Sequence, residues 1–176
     1  KNLKLNIINE ESKSKISNKV IIRNISINSK LIKRNDVFFA IKGKKFDGNR
    51  FVSESFKKKS SLAIVNRIDK DNPISKQVKV QNTLSFLTNC SSILRENVKA
   101  KIISITGSCG KTTLKEMIGL TLKKTSRISY SPKSYNNKYG VPLSLFNVNK
   151  NDKFAVLEVG MDKAGEINNL TKIIRP

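Results

Sequence analysis

The chain has 176 residues, enough for one large domain or two small ones, and 38% hydrophobic with 27% charged residues is the composition of a globular protein able to bury a core. Lys+Arg of 35 against Asp+Glu of 13 leaves a net charge of +22, but the lysines are spread from Lys1 to Lys172 and aromatics are only 6% with no Trp. The charge is therefore assigned to solvated faces and no nucleic-acid partner is expected. The absence of histidine excludes His-based acid–base, triad and zinc schemes for these residues.

No apolar run approaches the length of a membrane span, and no charged-then-apolar leader suggests secretion. Cys90 and Cys109 form neither a metal spacing nor a disulfide framework, which suits a reducing cytoplasm. The first residue is Lys1 and Pro176 directly follows a helical pattern, so the chain reads as a piece of something longer.

In chain order, Val20-Ile21-Ile22 and Ile25-Ser26-Ile27 predict strands, with Asn28-Ser29-Lys30 as a turn. Val37 to Ile41 is a strongly apolar strand, and Phe46-Asp47-Gly48-Asn49 a loop. Phe51, Val52, Ser55 and Phe56 fit a short helix, followed by a buried strand at Leu62 to Val65 and a short one at Val78 to Val80. These elements predict a small mixed α/β domain over residues 1–81. A second domain, residues 82–176, opens with a helix capped by Asn82 or Thr83 that carries Leu84, Leu87, Cys90, Ser91 and Leu94 on one face. Cys90 is expected in the core.

The stretch Ile102 to Lys124 then sets the chemistry. An apolar strand, Ile102 to Ile105, leads into the loop Thr106-Gly107-Ser108-Cys109-Gly110, and Lys111-Thr112-Thr113 starts a helix with Leu114, Met117, Ile118 and Leu122 as its expected packed face. The full G-x-x-x-x-G-K-[ST] pattern fails, because Ile105 stands where its first glycine would be, and the shorter GxxGKTT remains. Strand, glycine loop and helix N-terminus form a phosphate cradle, in which the backbone of residues Gly107, Ser108, Cys109 and Gly110 and the start of the helix through Thr113 surround a polyphosphate. Lys111 is placed to reach the outer phosphates and Thr112 to ligate Mg²⁺.

Downstream, Ile128 to Tyr130 predicts a strand, Ser131 to Gly140 a polar loop, and Pro142 the first turn of a helix with Leu143, Leu145 and Phe146. Phe154 to Leu157 is an apolar strand that delivers Glu158 at its end, and a last helix runs through Leu170, Ile173 and Ile174. The alternation implies a mostly parallel sheet, so the fold is α/β, with a P-loop nucleotide site in the second domain. Ligands of such sheets bind beyond the strand C-termini, where both the glycine loop and Glu158 fall. There Glu158 is expected to hold Mg²⁺ or organise its water, at the solvent-facing edge of the sheet. Asn136-Asn137, taken alone, reads as a turn-forming pair.

The blocks INSKLIKRNDVFFAIKGKKFDGNRF, TGSCGKTTLKEM, SYNNKYGVPLSLF and LEVGMDKAGEI, in this order, resemble the Mur ligases of peptidoglycan synthesis. Ser108 follows the branch that adds D-alanyl-D-alanine, whereas relatives adding other amino acids usually carry TGTNGKT. The resemblance implies a uridine-nucleotide-binding N-terminal domain and the first part of a central ATPase domain. It implies ATP and Mg²⁺ as cofactors, UDP-N-acetylmuramoyl-tripeptide and D-alanyl-D-alanine as substrates, and a cytoplasmic monomer. On matching positions, Lys111 and Glu158 are implied as catalytic, Thr112 and Glu158 as Mg²⁺ ligands, Asn136 and Asn137 as lining the muramoyl-peptide side of the cleft, and Ser29 and Lys30 as holding the uridine diphosphate. Asn28 and Lys30 stand where the family usually has Asp and Arg, Asn49 where DGH is common, and Asp162 where Asn is common. The implied carbamylated lysine, adenine contacts and dipeptide-binding domain lie beyond Pro176, so the 176 residues alone are expected to be inactive. The alternatives are another P-loop ATPase or a different Mur-type amino-acid ligase.

Overall fold

Two parallel sheets, each with its own helices, organise the described residues, which in this computed structural model are 22–43, 46–161 and 163–176. The chain divides into two compact units between Leu87 and Thr88. That division falls inside the helix α2, Thr83–Glu96, rather than just ahead of it. The first turn of α2 stays with the N-terminal unit because the Thr83 hydroxyl donates to Ala40 O at 3.1 Å and Phe86 stacks on Phe39. Asn82, not Thr83, caps the helix: its Oδ1 accepts the N–H groups of Leu84 and Ser85.

The N-terminal unit holds four parallel strands in sequential order, β1 Ile25–Ser26, β2 Val37–Phe39, β3 Leu62–Val65 and β4 Gln77–Lys79. Parallel neighbours need crossovers, supplied here by short elements such as the helix α1, Val52–Lys57. Strands β2 and β3 are buried along their whole length, as a parallel sheet covered on both faces requires. Phe38, Ala40, Val52, Ala63 and Val65 make the core with Ile32. Of the expected strand at Val20-Ile21-Ile22, Val20 and Ile21 lie outside the described residues, and Ile22 is buried but irregular.

The C-terminal unit contains β5 Lys101–Ile105, α3 Lys111–Lys123, β6 Ile128–Tyr130, α4 Gly140–Asn147, β7 Phe154–Glu158 and α5 Glu166–Ile174. Its strands are parallel in the order β5-β7-β6, so the last strand in sequence is the central one. Ala100, Ile102, Val141, Leu145, Ala155, Leu157, Leu170 and Ile174 pack together on one face. Arg95 of α2 ties this face down by donating from Nε to Ile174 O at 2.6 Å and from Nη2 to Arg175 O at 2.9 Å, which satisfies carbonyls at the end of α5. Cys90 is buried, as expected, and burial pushes its thiol up to about 11.

One expectation fails. Leu114 and Met117 of α3 are 48% and 61% exposed, and Leu120 is 58% exposed. The buried positions of the helix are Lys115 and Gly119, with Ile118 and Leu122 half-covered. The packed face is set by a close approach: a Cβ at Gly119 would lie 3.2 Å from Tyr130 Cδ1, so the helix rides near β6 on its smallest residue.

Candidate functional site

Thr106 to Gly110 form an exposed loop between β5 and α3. Gly110 has φ 73°, in the left-handed region where a side chain is strained, although the space around it is open. Backbone conformation, not crowding, therefore requires glycine there. The first helical bond of α3 runs from Leu114 N to Gly110 O at 2.9 Å, which leaves the amides of Lys111, Thr112 and Thr113 ahead of it as the helix N-terminus. Gly107, Ser108, Cys109, Gly110 and Thr113 are exposed around this mouth. Lys111 folds back on the loop, with Nζ donating to Gly107 O at 2.6 Å and to Ser108 O at 3.4 Å.

Glu158 ends β7 directly beside β5, in register with Ile105. Contrary to expectation it does not face solvent, being 1% exposed. It is buried because α3 and the loop after β6 close over it. Thr112 Oγ1 donates to Oε2 at 2.8 Å, Asn136 Nδ2 donates to Oε1 at 2.7 Å, and the Glu158 backbone N–H donates to the hydroxyl of buried Ser131 at 3.1 Å. A buried carboxylate requires such partners. A second contact stitches the same loop to the strand end: Gly160 N donates to Asn136 O at 2.7 Å.

Lys115, not among the expected site residues, is fully buried beneath this cluster. Its Nζ donates to Lys133 O and stands 3.8 Å from Glu158 Oε2 and 3.4 Å from Glu116 Oε1. The available signal was its i+4 spacing from Lys111, which puts both on one side of α3.

Lys111, Asn136, Asn137, Gly160, Met161 and Glu166 line a cavity of about 210 Å³ next to the loop. Asn137 also holds the turn that leads into α4, its Oδ1 accepting the N–H groups of Tyr139 and Gly140 at 3.0 Å. It is thus both the turn former that its residue type suggests and a cavity residue. Asp162 lies outside the described residues. Thr112 and Glu158 offer two hard oxygens at one point, and no cluster of three or more His, Cys, Asp or Glu suited to a metal exists among the described residues. That donor set fits Mg²⁺, which takes one or two protein oxygens and fills its octahedron with water and phosphate oxygens.

Ser29 and Lys30 belong to the N-terminal unit, in a 3-10 turn at Ser29–Leu31 capped by Asn28. Ser29 is buried and donates its hydroxyl to Glu54 Oε2 at 2.6 Å, while Lys30 is exposed. Asn49, also buried, donates to Asp47 and Asn66, and the Asn49 side-chain and backbone hydrogen bonds hold the Asp47 carboxyl below its usual range.

Two family models match the chain: the Mur ligase family, catalytic domain, over residues 21–88, and the Mur ligase middle domain, over residues 105–176. The chain belongs to the Mur ligase family. Among curated relatives, the UDP-N-acetylmuramoyl-tripeptide–D-alanyl-D-alanine ligase of Buchnera aphidicola subsp. Baizongia pistaciae is 35% identical over 89% of this chain and 34% of its own length. The enzyme of the same name from Rickettsia prowazekii is 34% identical over 92% of this chain and 36% of its own length. MurF from Acinetobacter baumannii superposes with a TM-score of 0.80 at 35% identity, over 88% of this chain and 34% of that one. MurF ligase from Thermotoga maritima in complex with ADP gives 0.74 at 32% identity, over 88% and 36%. The chain spans about a third of the length of the curated relatives it matches. No helix of this Mur ligase chain, among the described residues, is long and apolar enough to cross a membrane.

Proposed function

We propose that the chain is the substrate-nucleotide and ATP-binding part of an ATP-dependent carbon–nitrogen ligase, one that joins D-alanyl-D-alanine to UDP-N-acetylmuramoyl-tripeptide in cytoplasmic peptidoglycan precursor synthesis. The observation that carries this reading is the convergence of Thr112 and Asn136 on Glu158 beside the glycine loop. The names of the relatives supply the substrates, and the ADP complex of one structural neighbour supports the nucleotide. In this reading residues 1–81 take the uridine diphosphate end, with Ser29 and Lys30 in contact, and residues 82–176 take ATP. The protein acts as a monomer without nucleic acid.

A carboxylate is a poor electrophile and needs activation. The terminal carboxylate oxygen of the tripeptide attacks the γ-phosphorus, ADP leaves, and an acyl phosphate forms. The amine of D-alanyl-D-alanine then attacks the acyl carbon, losing a proton and expelling phosphate. The task of this chain is charge placement as two anions approach. Lys111 leaves the Gly107 and Ser108 carbonyls for the phosphates, and the amides at the start of α3 accept the same charge. Asn136 and Asn137 orient the tripeptide carboxylate from the cavity side. Thr112 and Glu158 would hold Mg²⁺, which would supply neutralisation of phosphate charge.

The test is a Mg²⁺ titration of ADP release in the whole protein. Lys111→Ala is expected to lower turnover by about a hundred- to a thousand-fold at every Mg²⁺ concentration, since no soluble cation replaces a positioned ammonium. Glu158→Gln is expected to raise the Mg²⁺ requirement, with part of the rate restored at high Mg²⁺. A wild-type Mg²⁺ dependence in Glu158→Gln, with folding checked by circular dichroism, removes the metal role. The 176 residues alone are expected to give no ligation with both substrates present. DNA-stimulated ATPase activity instead favours a nucleic-acid-dependent enzyme.

A further inference from the structure

Lys115 takes no part in the chemistry proposed above, yet among the described residues of the nucleotide-binding unit it is the most completely buried charged side chain. Lys123, at the end of the same helix, and Lys124 just after it lie in water, as lysines ordinarily do. Lys115 instead places its ammonium against three oxygens: the Lys133 carbonyl, Glu158 Oε2 at 3.8 Å and Glu116 Oε1 at 3.4 Å. Burying an ammonium is heavily penalised, and the penalty is met only where charge and hydrogen-bond partners are both supplied. Here the carboxylate partner is itself 1% exposed, whereas Glu116 is 43% exposed, so the pairing with Glu158 is the one that water does not screen.

The carbonyl partner matters equally. Lys133 has φ 50°, an unusual left-handed conformation for a residue with a side chain, and it sits in the loop that three residues later presents Asn136 to Glu158. Lys115 therefore holds the carboxylate and the loop that closes on it. Lys111, one turn earlier, holds neither; its ammonium lies on the glycine loop.

We infer that Lys115 is a positioning residue of the nucleotide site: a fixed buried counter-charge for Glu158 and an anchor for the Lys133 loop, which together keep Thr112, Glu158 and Asn136 in one constellation before a nucleotide arrives. The inference rests on the reading of Glu158 as the carboxylate on the metal side. Two lysines on one helix face then divide the work, Lys111 moving with the phosphates and Lys115 staying on the carboxylate. Because Lys115 already compensates Glu158, the native fold needs no Mg²⁺. Without Lys115 the buried carboxylate lacks a counter-charge, and Mg²⁺ becomes the available replacement.

The experiment uses the whole protein with Lys115→Met, which keeps the apolar stem and removes the charge, together with Glu158→Gln and the double variant. Thermal unfolding is followed in chelator and in about 10 mM Mg²⁺, since an ion that binds only the native state raises its stability. Lys115→Met is expected to lower Tm by roughly 5–15 °C in chelator, the scale of a broken buried pair, and adding Glu158→Gln to restore most of it. Mg²⁺ is expected to raise the Tm of Lys115→Met by several degrees, to leave wild type within about a degree, and to have no effect on the double variant. A purely space-filling lysine does not produce that ion dependence. Wild-type Tm and Mg²⁺ response in Lys115→Met overturn the inference, as does a loss that Glu158→Gln fails to restore. If Lys115→Met does not fold, the double variant decides: folding supports the inference and failure to fold overturns it. Restoration by Glu158→Gln without any Mg²⁺ response upholds Lys115 as the partner of Glu158 and removes instead the metal role of that carboxylate.

Discussion

Thr112 Oγ1 lies 2.8 Å from Glu158 Oε2 with the hydroxyl proton directed at the carboxylate. A threonine whose hydroxyl hydrogen is engaged by the carboxylate presents its lone pairs outward, which is the orientation a hard cation at the phosphates requires. Thr112→Val keeps the shape and removes both functions, and it is expected to reduce turnover about a hundred-fold or more. Thr112→Ser keeps the hydroxyl and is expected to retain activity within about tenfold. Steady-state ADP release with calorimetric ADP binding checks both, and equal activity of the two variants refutes the role of the hydroxyl.

The two cysteines are placed to report on the site separately. Cys109 is exposed in the glycine loop and Cys90 is buried in α2. Of these two thiols, a maleimide is expected to modify Cys109 and to spare Cys90 in the folded protein. Saturating Mg²⁺·ADP is expected to slow that reaction by more than about tenfold, because little unliganded protein remains at high ligand excess. Mass spectrometry of the modified peptide gives the answer, and an unprotected Cys109 places the nucleotide elsewhere.

Cys90 also predicts a pH dependence. Burial raises its thiol from 9.0 to about 11 in the folded state, so the unfolded chain loses this proton first. The protonated thiol therefore favours folding fully below pH about 9, and that contribution is lost between about 9 and 11, up to roughly 2–3 kcal/mol at the alkaline end. Urea unfolding across this range is expected to show a steeper decline in wild type than in Cys90→Ala. Parallel declines refute it.

Position decides the cost of substitution around α3 and α4. A Cβ at Gly140 would lie 2.5 Å from Tyr135 Cα, a backbone atom that cannot turn aside. Gly140→Ala is expected to destabilise by about 2–4 kcal/mol and to disturb the loop carrying Asn136. Met117→Lys, on the exposed side of α3, is expected to change the stability of this chain by no more than about 0.5 kcal/mol. Chemical denaturation of the two variants distinguishes these outcomes.

Much of the site was legible in sequence because its parts obey local rules. A strand, two glycines and Lys-Thr announce a loop and a helix start, and four apolar residues before Glu158 place it at a strand end. The face of α3 was not legible. Leu114, Met117, Ile118 and Leu122 have the period of a packed stripe, but the helix approaches β6 through Gly119 and buries Lys115 instead. Periodicity registers apolar side chains and is blind to a glycine that permits close approach or a lysine held by a distant carboxylate. The burial of Glu158 escaped for the same reason: Thr112 on α3 and the loop carrying Ser131 and Asn136, which cover it, are distant from it in sequence. In the N-terminal unit the strands were found near their places, whereas the helical turns were harder, because Asn28 and Asp47 cap single 3-10 turns too short for a period.

The strand order β5-β7-β6 also has a consequence for biosynthesis. Strands β5 and β6 leave the ribosome first but share no hydrogen-bonded edge; each pairs with β7. Until Phe154 to Glu158 has emerged, the glycine loop and α3 have no sheet to rest on, and the nascent segment waits with its apolar strands unpaired. The strand that completes the sheet ends on the carboxylate that completes the site. A ribosome stalled before that strand has emerged is therefore expected to display neither the paired sheet nor the contact of Thr112 with Glu158.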